Sequence, residues 1–356
     1  MILDDLKAIA KLDQSRMRDS ISELGAQCEQ AWQEIQKIKI HDLRSPISDV
    51  SIVGMGGSAI GGHILKSLLG RTLKIPFEIV NEYELPGWVN SHSLVILSSY
   101  SGTTEETLTA AREAKRRGAK CLAIAAGGAL EIWAKKYGVP FYKIVPTHNP
   151  SNQPRMALGY SIIGQLGLLS GSGLIRTNKT DIINIVKTIY AVHTDAGPGI
   201  PLTGNPVKQL AWNLQNTIPL LIGAEPFGGN LRTLRNQINE NAKHNCFYLL
   251  LPELNHHALE GLRFPKAQHR LIRPVLIRSK LYPAVIQKRL AITAEVLTKN
   301  GLKPLWLDLR AGTPLLQSFE LLTLGSWLSF YLAMLNKINP APIPWVEYFK
   351  KALAKV

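Results

Sequence analysis

The chain has 356 residues, enough for two domains of ordinary size, each with its own core. Hydrophobic residues at 46% and charged residues at 19% exclude a disordered chain. A formal charge of +15 admits nucleic acid, a membrane surface or anionic metabolites and does not choose among them. The basic residues are scattered: "KRR" at 115–117 and "KK" at 135 and 350 are the densest groups, none forms an arm, and aromatics do not interleave with them. Most of the charge therefore reads as solvated surface, and neither nucleic acid nor membrane is expected as a partner.

The opening "MILDDLKAIAKL" carries Asp4, Asp5 and Lys7 where a secretion signal needs an apolar core, so it is not read as one. Residues 1 to about 40 read as one or two amphipathic helices. Short apolar runs then alternate with segments of helical length: "VSIV" at 50, "FEIV" at 77, "LVIL" at 94, "CLAIA" at 121 and "FYKIV" at 141. Such runs, joined by helical crossovers, imply a parallel sheet covered on both faces. An uncharged helix over 156–175 leads to the polar stretch "SGSGLIRTNKTD", where a domain boundary is expected. A second series follows, "PLLIGA" at 219, "CFYLLL" at 246, "PVLIRS" at 274 and "PLWLDL" at 304. The uncharged runs 156–175 and 321–336 read as buried helices, because the first is rich in glycine and serine and the second is 16 residues, short of a span. Cys28, Cys121 and Cys246 lie far apart with no Cys-x-x-Cys pair, which suits a reducing cytoplasm and offers no metal site.

Two loops carry chemistry. In "VILSSYSGTTEETL", residues 95–108, an apolar strand gives way to Ser98, Ser99, Ser101, Thr103 and Thr104 around Gly102 and then to acids that open a helix. Hydroxyls and backbone N–H groups at a helix N-terminus favour an anion, phosphate above all. Thr103 followed by Glu106 also fits a capping box, which would engage one hydroxyl for structural reasons. In "VGMGGSAIGG", Val53–Gly62, the run from Gly54 to Ala59 satisfies the G-x-G-x-x-A dinucleotide pattern, and the second strand is expected to end at Glu82, the sort of acid that would grip a ribose. Glycines after a first strand bring backbone close to any phosphate, and Ser58 with "SYSGTT" suits a compact phosphomonoester better than a dinucleotide.

These two loops resemble the sugar isomerase (SIS) domain. "PRMALGY" at 154, "NQINENAKHN" at 236, "ELNHHALEG" at 253 and "INPAPIPWVEYFK" at 338 narrow the resemblance to the bifunctional phosphoglucose/phosphomannose isomerase family. The resemblance implies an α/β chain of two tandem doubly wound, flavodoxin-like parallel-sheet domains, here 1–180 with the leading helices and phosphate loops and 181–356 with the catalytic Glu, His and Lys. It implies aldose–ketose isomerisation of glucose 6-phosphate and fructose 6-phosphate, extending to mannose 6-phosphate, in a cytoplasmic enzyme with no metal or nicotinamide cofactor. By position it assigns Gly56, Gly57, Ser58, Ser99, Ser101 and Thr104 to the phosphate, Arg155 to the enediolate and Glu240 to the proton transfer between C1 and C2. His256 would come from the opposite subunit of a homodimer and join Lys350 around the ring oxygen. The types suit the chemistry, which needs a carboxylate base, a cation for the oxyanion and groups that protonate the ring oxygen.

Taken alone, Glu240 reads as a surface glutamate beside the apolar stripe of Leu231, Leu234 and Ile238, Arg155 as a helix-start arginine, and Lys350 as a solvated helix lysine. The chain departs from the family where His257 and Ala258 follow His256 in place of asparagine and glutamate. It departs again where Asn339-Pro340-Ala341-Pro342 replaces Asp-Pro-Thr-Pro and loses a hydroxyl. Two other classes stay open at this level, a non-catalytic phosphosugar-binding regulator and a dinucleotide-dependent oxidoreductase.

Overall fold

A computed structural model describes residues 2–40 and 46–353. The first segment folds as α1 (Leu6–Leu12), α2 (Met17–Ser22) and α3 (Leu24–Ile35). It makes three short helices where the sequence suggests one or two, because the Asp13 carboxylate accepts from the Met17 and Arg18 N–H groups and restarts the helix there.

Then come β1 (Asp49–Val53), α4 (Gly57–Leu69), β2 (Phe77–Val80), β3 (Ser93–Ser98), α5 (Glu105–Arg116), β4 (Lys120–Ala125), α6 (Gly128–Tyr137), β5 (Phe141–Lys143) and α7 (Leu158–Gly171). The strands pair in the order β2-β1-β3-β4-β5, all parallel. Every residue of β1 and β3 is buried, as expected of a sheet covered on both faces. Continuing, α8 (Lys179–Ala196), α9 (Pro206–Leu214), β6 (Ile218–Ala224), α10 (Gly228–Ala242), β7 (Phe247–Leu251), α11 (Gln268–Leu271), β8 (Ile272–Ser279), α12 (Ala284–Lys299), β9 (Leu305–Leu309), α13 (Pro314–Leu335) and α14 (Pro344–Leu353) build a second parallel sheet, β7-β6-β8-β9. All nine sequence-read strands are present, in two α/β units of the doubly wound kind. In each sheet the strand order reverses beside the first strand of its unit, at β1/β3 and β6/β8, and ligands of such sheets bind at the carboxyl ends there.

Side-chain packing crosses a division at residue 180 in both directions. Leu3, Ile9, Met17 and Ile21 join the core of the second sheet, while Ile182, Ile185 and Ile189 of α8 join that of the first. The run at 321–336 is not a 16-residue segment: α13 has 22 residues and by length and composition alone could cross a membrane, but its apolar window is 94% buried between the two units. It is a core helix, apolar all round because neighbours surround it.

Candidate active site

Both phosphate-type loops lie where the strand order of the first sheet reverses. After β1 the chain turns through Gly56 at φ +49°, which favours glycine, and the N–H groups of Met55, Gly56 and Gly57 find no acceptor among the described residues. Gly54 packs so closely that a Cβ there would lie 2.9 Å from the Ser98 carbonyl oxygen, so this turn abuts the loop after β3. Hydrogen bonds fix the contact: Tyr100 N–H donates to Ser58 Oγ at 2.8 Å, and Ser98 Oγ–H to the Ser58 carbonyl at 2.9 Å. Ser99 and Thr104 share a hydroxyl hydrogen bond of 2.8 Å, and Ser101 Oγ accepts from the N–H and hydroxyl of Thr103. The structure thus sets the turn of Gly56, Gly57 and Ser58 against the loop of Ser99, Ser101 and Thr104, with a small hollow at Gly57 and Ser58 where the two loops meet. The expected capping box is absent, because Thr103 turns its hydroxyl to Ser101 and Thr104 precedes α5 without a side-chain cap.

Gly57 connects this hollow to the charged side of the site. A Cβ on it would stand 3.1 Å from the backbone nitrogen of Arg155, which leaves room there only for glycine without adjustment. Arg155 lies in a single turn, Pro154–Met156, and is 3% exposed, so it is not a solvated helix-start arginine. Its Nε–H donates to Asn241 Oδ1 at 2.7 Å, Nη1 to Gln153 Oε1 at 2.7 Å, and Nη2 to the carbonyls of Pro340 and Ala341 at 3.0 and 2.6 Å. Four of its five donors are fixed and one at Nη1 is left. Glu240 Oε2 stands 3.8 Å from Arg155 Nε.

The position of Glu240 follows from the register of α10. Leu231, Leu234 and Ile238 are buried, as the apolar stripe suggests, and a polar row beside them bonds to α13. Asn230 pairs with Ser318, Gln237 with Ser326 at 2.9 Å and Asn241 with Ser329 at 3.0 Å. This ladder sets the rotation of α10 and leaves Glu240 half-buried beside Arg155 rather than on open surface. Burial holds its carboxyl above the ordinary range, partly offset by the charges of Arg155, Lys243 and Lys350.

Lys243 was not singled out by sequence. It ends α10 at φ +48° and donates to the carbonyls of Asn339 at 3.2 Å and Pro340 at 2.8 Å, so Arg155 and Lys243 clamp the same segment. Burial, then the charge of Arg155, lowers its ammonium to about 8, with Glu240 opposing. Its only sequence signal was its place inside "NENAKHN". Ala341 is buried, with its N–H bound by Asn339 Oδ1 at 3.0 Å.

The remaining assignments stand apart within one chain. His256 is exposed and has no hydrogen bond or ion pair among the described residues, while its neighbour His257 pairs with Glu253 at 2.8 Å. Lys350 lies on α14, which buries no residue, although its charge reaches Glu240. The dinucleotide reading loses its acid: β2 ends at Val80, Glu82 is exposed, and Asn81 instead binds the glycine turn, its amide donating to the Gly54 carbonyl at 2.6 Å.

Comparison with known proteins agrees with the two-unit fold. The SIS domain family model matches residues 47–159, and the model described as the bacterial phospho-glucose isomerase C-terminal SIS domain matches 203–353. The bifunctional phosphoglucose/phosphomannose isomerase of Caldicellulosiruptor bescii is 34% identical over 350 residues, covering 96% of this chain and 99% of that one. The enzyme of the same name from Aquifex aeolicus is 30% identical over 325 residues, covering 91% and 94%. Among solved structures, a hypothetical protein of Thermus thermophilus superposes with a TM-score of 0.76 at 16% identity, covering 98% of this chain and 94% of that one. The C-terminal domain of glucosamine-fructose-6-phosphate aminotransferase from Francisella tularensis has a TM-score of 0.68 at 14% identity, covering 92% and 98%. At such identities the structures speak for the fold alone, whereas the two full-length relatives establish kinship. The chain belongs to the bifunctional phosphoglucose/phosphomannose isomerase family.

Proposed function

We propose that this chain interconverts glucose 6-phosphate and fructose 6-phosphate, and mannose 6-phosphate with them, through an enediolate. The observation that carries the reading is the junction at Gly57, which sets the hollow between the two loops directly against Arg155 and, through it, Glu240. The hollow would hold the phosphate of the hexose on the free N–H groups of residues 55–57 and the hydroxyls of Ser58, Ser99, Ser101 and Thr104. Glu240, with its raised carboxyl pKa, would take the proton from one carbon of the C1–C2 pair and return it to the other. The spare Nη1 donor of Arg155 would meet the oxyanion that develops, at no reorganisation cost because the other four donors are already held.

Ring opening needs a proton at the ring oxygen, and Lys350 near Glu240 suits that task with His256 supplied by a second subunit. Support for a homodimer lies in α14, where Trp345 is 82% exposed with Tyr348 and Phe349 beside it on a helix that buries none of its residues. Free Cys28, Cys121 and Cys246 fit a cytoplasmic setting. A phosphosugar-binding regulator would need the hollow but not the Arg155–Glu240 pair, and the pair favours the enzyme. A coupled assay starting from fructose 6-phosphate tests the reading: glucose 6-phosphate should accumulate without added metal or nicotinamide in the isomerase step, and no turnover with intact phosphate binding would leave the regulator.

A further inference from the structure

The two units meet where α4 crosses α10, and Gly229 lies so close to the His63 carbonyl that any Cβ there would collide with it. Beside this crossing runs a cleft. One cavity of about 130 Å³ reaches the turn at Met55 and Gly56 and includes Asn81, Thr233 and Asn236; a second of about 400 Å³ extends toward Lys66, Arg71 and Glu225. His63 and Arg232 stand in the wall of both.

The charges in this cleft do not balance. Lys66 is paired with Glu78 at 2.7 Å, but Arg232, although half-buried, has no hydrogen bond or ion pair among the described residues. His63 cannot answer it. Its ring donates from Nε2 to Asn81 Oδ1 at 3.1 Å, since the Asn81 amide is committed to Gly54, and burial with the charge of Arg232 lowers its pKa to about 4, so it is neutral at physiological pH. Glu225, the one carboxylate in the wall, lies beside Gly228 at the start of α10 and forms no ion pair with Arg232. Asn236 adds a second free donor, because its carbonyl oxygen accepts from Arg235 Nε–H at 2.8 Å and its NH2 group has no acceptor among the described residues. Arg232 and Asn236 are four residues apart on α10, hence on one face, and Glu240 continues that row.

We propose that the α4–α10 cleft is a second anion site, adjoining the phosphate hollow at the Met55–Gly56 turn but built on other donors, that takes a phosphate group on the guanidinium of Arg232 and the amide of Asn236. A guanidinium suits such a ligand because its planar donors match phosphate oxygens in pairs. The ligand is free phosphate, or the phosphate end of a molecule that extends into the larger cavity. The site does not depend on the isomerase reading, since none of its donors takes part in that chemistry.

The test uses the full chain with its phosphate hollow saturated by 6-phosphogluconate, into which inorganic phosphate or pyrophosphate is titrated by calorimetry. The natural protein should still bind, Arg232→Met should bind at least ten-fold more weakly, and Arg232→Lys should fall between. Binding of both probes marks free phosphate as sufficient, and binding of pyrophosphate alone marks a larger phosphate-bearing ligand. Turnover of fructose 6-phosphate by Arg232→Met in the absence of either probe should match the natural protein, which certifies its fold. If Arg232→Met binds both probes, and the same number of equivalents of 6-phosphogluconate, as the natural protein does, the site does not exist; if saturating 6-phosphogluconate abolishes further binding of the probes, a second equivalent of it lost in Arg232→Met still marks the site. If 6-phosphogluconate itself fails to bind, the same comparison of variants is made without it and still decides the matter.

Discussion

Arg155 Nη2 donates to the carbonyl of Ala341 at 2.6 Å, so a side chain of the first unit holds the segment that leads into α14 at the far end of the chain. Replacing this arginine therefore disturbs two things at once, the cation beside Glu240 and the anchoring of residues 340 and 341. Lysine keeps the charge but cannot serve four acceptors in a plane. Arg155→Lys should lower kcat by about 10²–10³-fold, the usual effect of losing a fixed donor to an oxyanion. It should also lower Tm, because buried acceptors left without a donor cost about 1–3 kcal/mol each. Steady-state kinetics and a melting curve measure both, and an unchanged kcat would remove Arg155 from the reaction.

Glu240→Gln should separate catalysis from stability. Turnover should fall by about 10²–10⁴-fold, the range for a positioned general base, while 6-phosphogluconate binding persists. Burial raises the carboxyl pKa in the folded protein, so near neutral pH ionised Glu240 is a cost that the unfolded chain does not bear. Stability contributed by the protonated form is complete below the unfolded pKa and lost as pH rises through the folded one. Glutamine removes that cost, and the variant should melt no lower than the natural protein at pH 7. For the natural enzyme, the acid limb of kcat/KM should lie above the ordinary carboxylate range, since only the ionised form can accept a proton. A limb at the ordinary value would mean that Glu240 is not the base.

Strands were legible because in a doubly wound fold each is a short apolar run between turn residues, and "VSIV" or "LVIL" has few other places to go. The position of the two loops was legible for a related reason: glycine and hydroxyl clusters after strands one and three mark the switch point. Arg155 and Glu240 were not readable from their own surroundings. Nothing near Arg155 in sequence shows that its acceptors come from residues 241, 340 and 341, and the rotation of α10 that half-buries Glu240 is set by serines on α13. The resemblance pointed to both residues, and the long-range hydrogen bonds account for their burial. Lys243 and Arg232 escaped because one depends on carbonyls nearly a hundred residues away and the other is notable for having no partner among the described residues.

His256 is exposed and its side chain is unengaged among the described residues, which sets up a complementation test. Glu240→Gln and His256→Ala chains, each inactive alone, should regain activity when mixed and allowed to exchange subunits, because a heterodimer would hold one intact site. Verified exchange without recovery would place the histidine in its own chain's site or outside the reaction.

Ala341 bears on the choice of epimer. Its backbone is fixed by Arg155 and Asn339, so its identity affects the site only through the missing threonine hydroxyl. Returning a proton to either face of C2 requires the bound sugar to rotate about C2–C3, and an unpaired hydroxyl in one rotamer costs about 1–3 kcal/mol, or about 5- to 150-fold in rate. Glucose 6-phosphate should be turned over with a higher kcat/KM than mannose 6-phosphate, and Ala341→Thr should narrow the gap. Equal efficiencies in the natural protein would refute the idea.

Lys243 predicts the alkaline side of the profile. Protonated, it donates to the carbonyls of Asn339 and Pro340, and it helps keep Glu240 ionised. Its pKa is lowered to about 8, chiefly by burial, so the charge is complete below that pH and lost as pH rises through it. Loss of the charge weakens the clamp on the segment leading to Lys350, and kcat/KM should decline above about pH 8. Arginine stays charged throughout this range and can reach the same carbonyls. Lys243→Arg should therefore keep near-normal activity at pH 7 and move the alkaline limb upward, whereas Lys243→Met should show low activity with no limb near 8. The decisive measurement is kcat/KM from pH 6 to 10 for the three proteins. A limb that stays at the same pH in Lys243→Arg would assign it to another group and reduce Lys243 to a helix-terminal side chain.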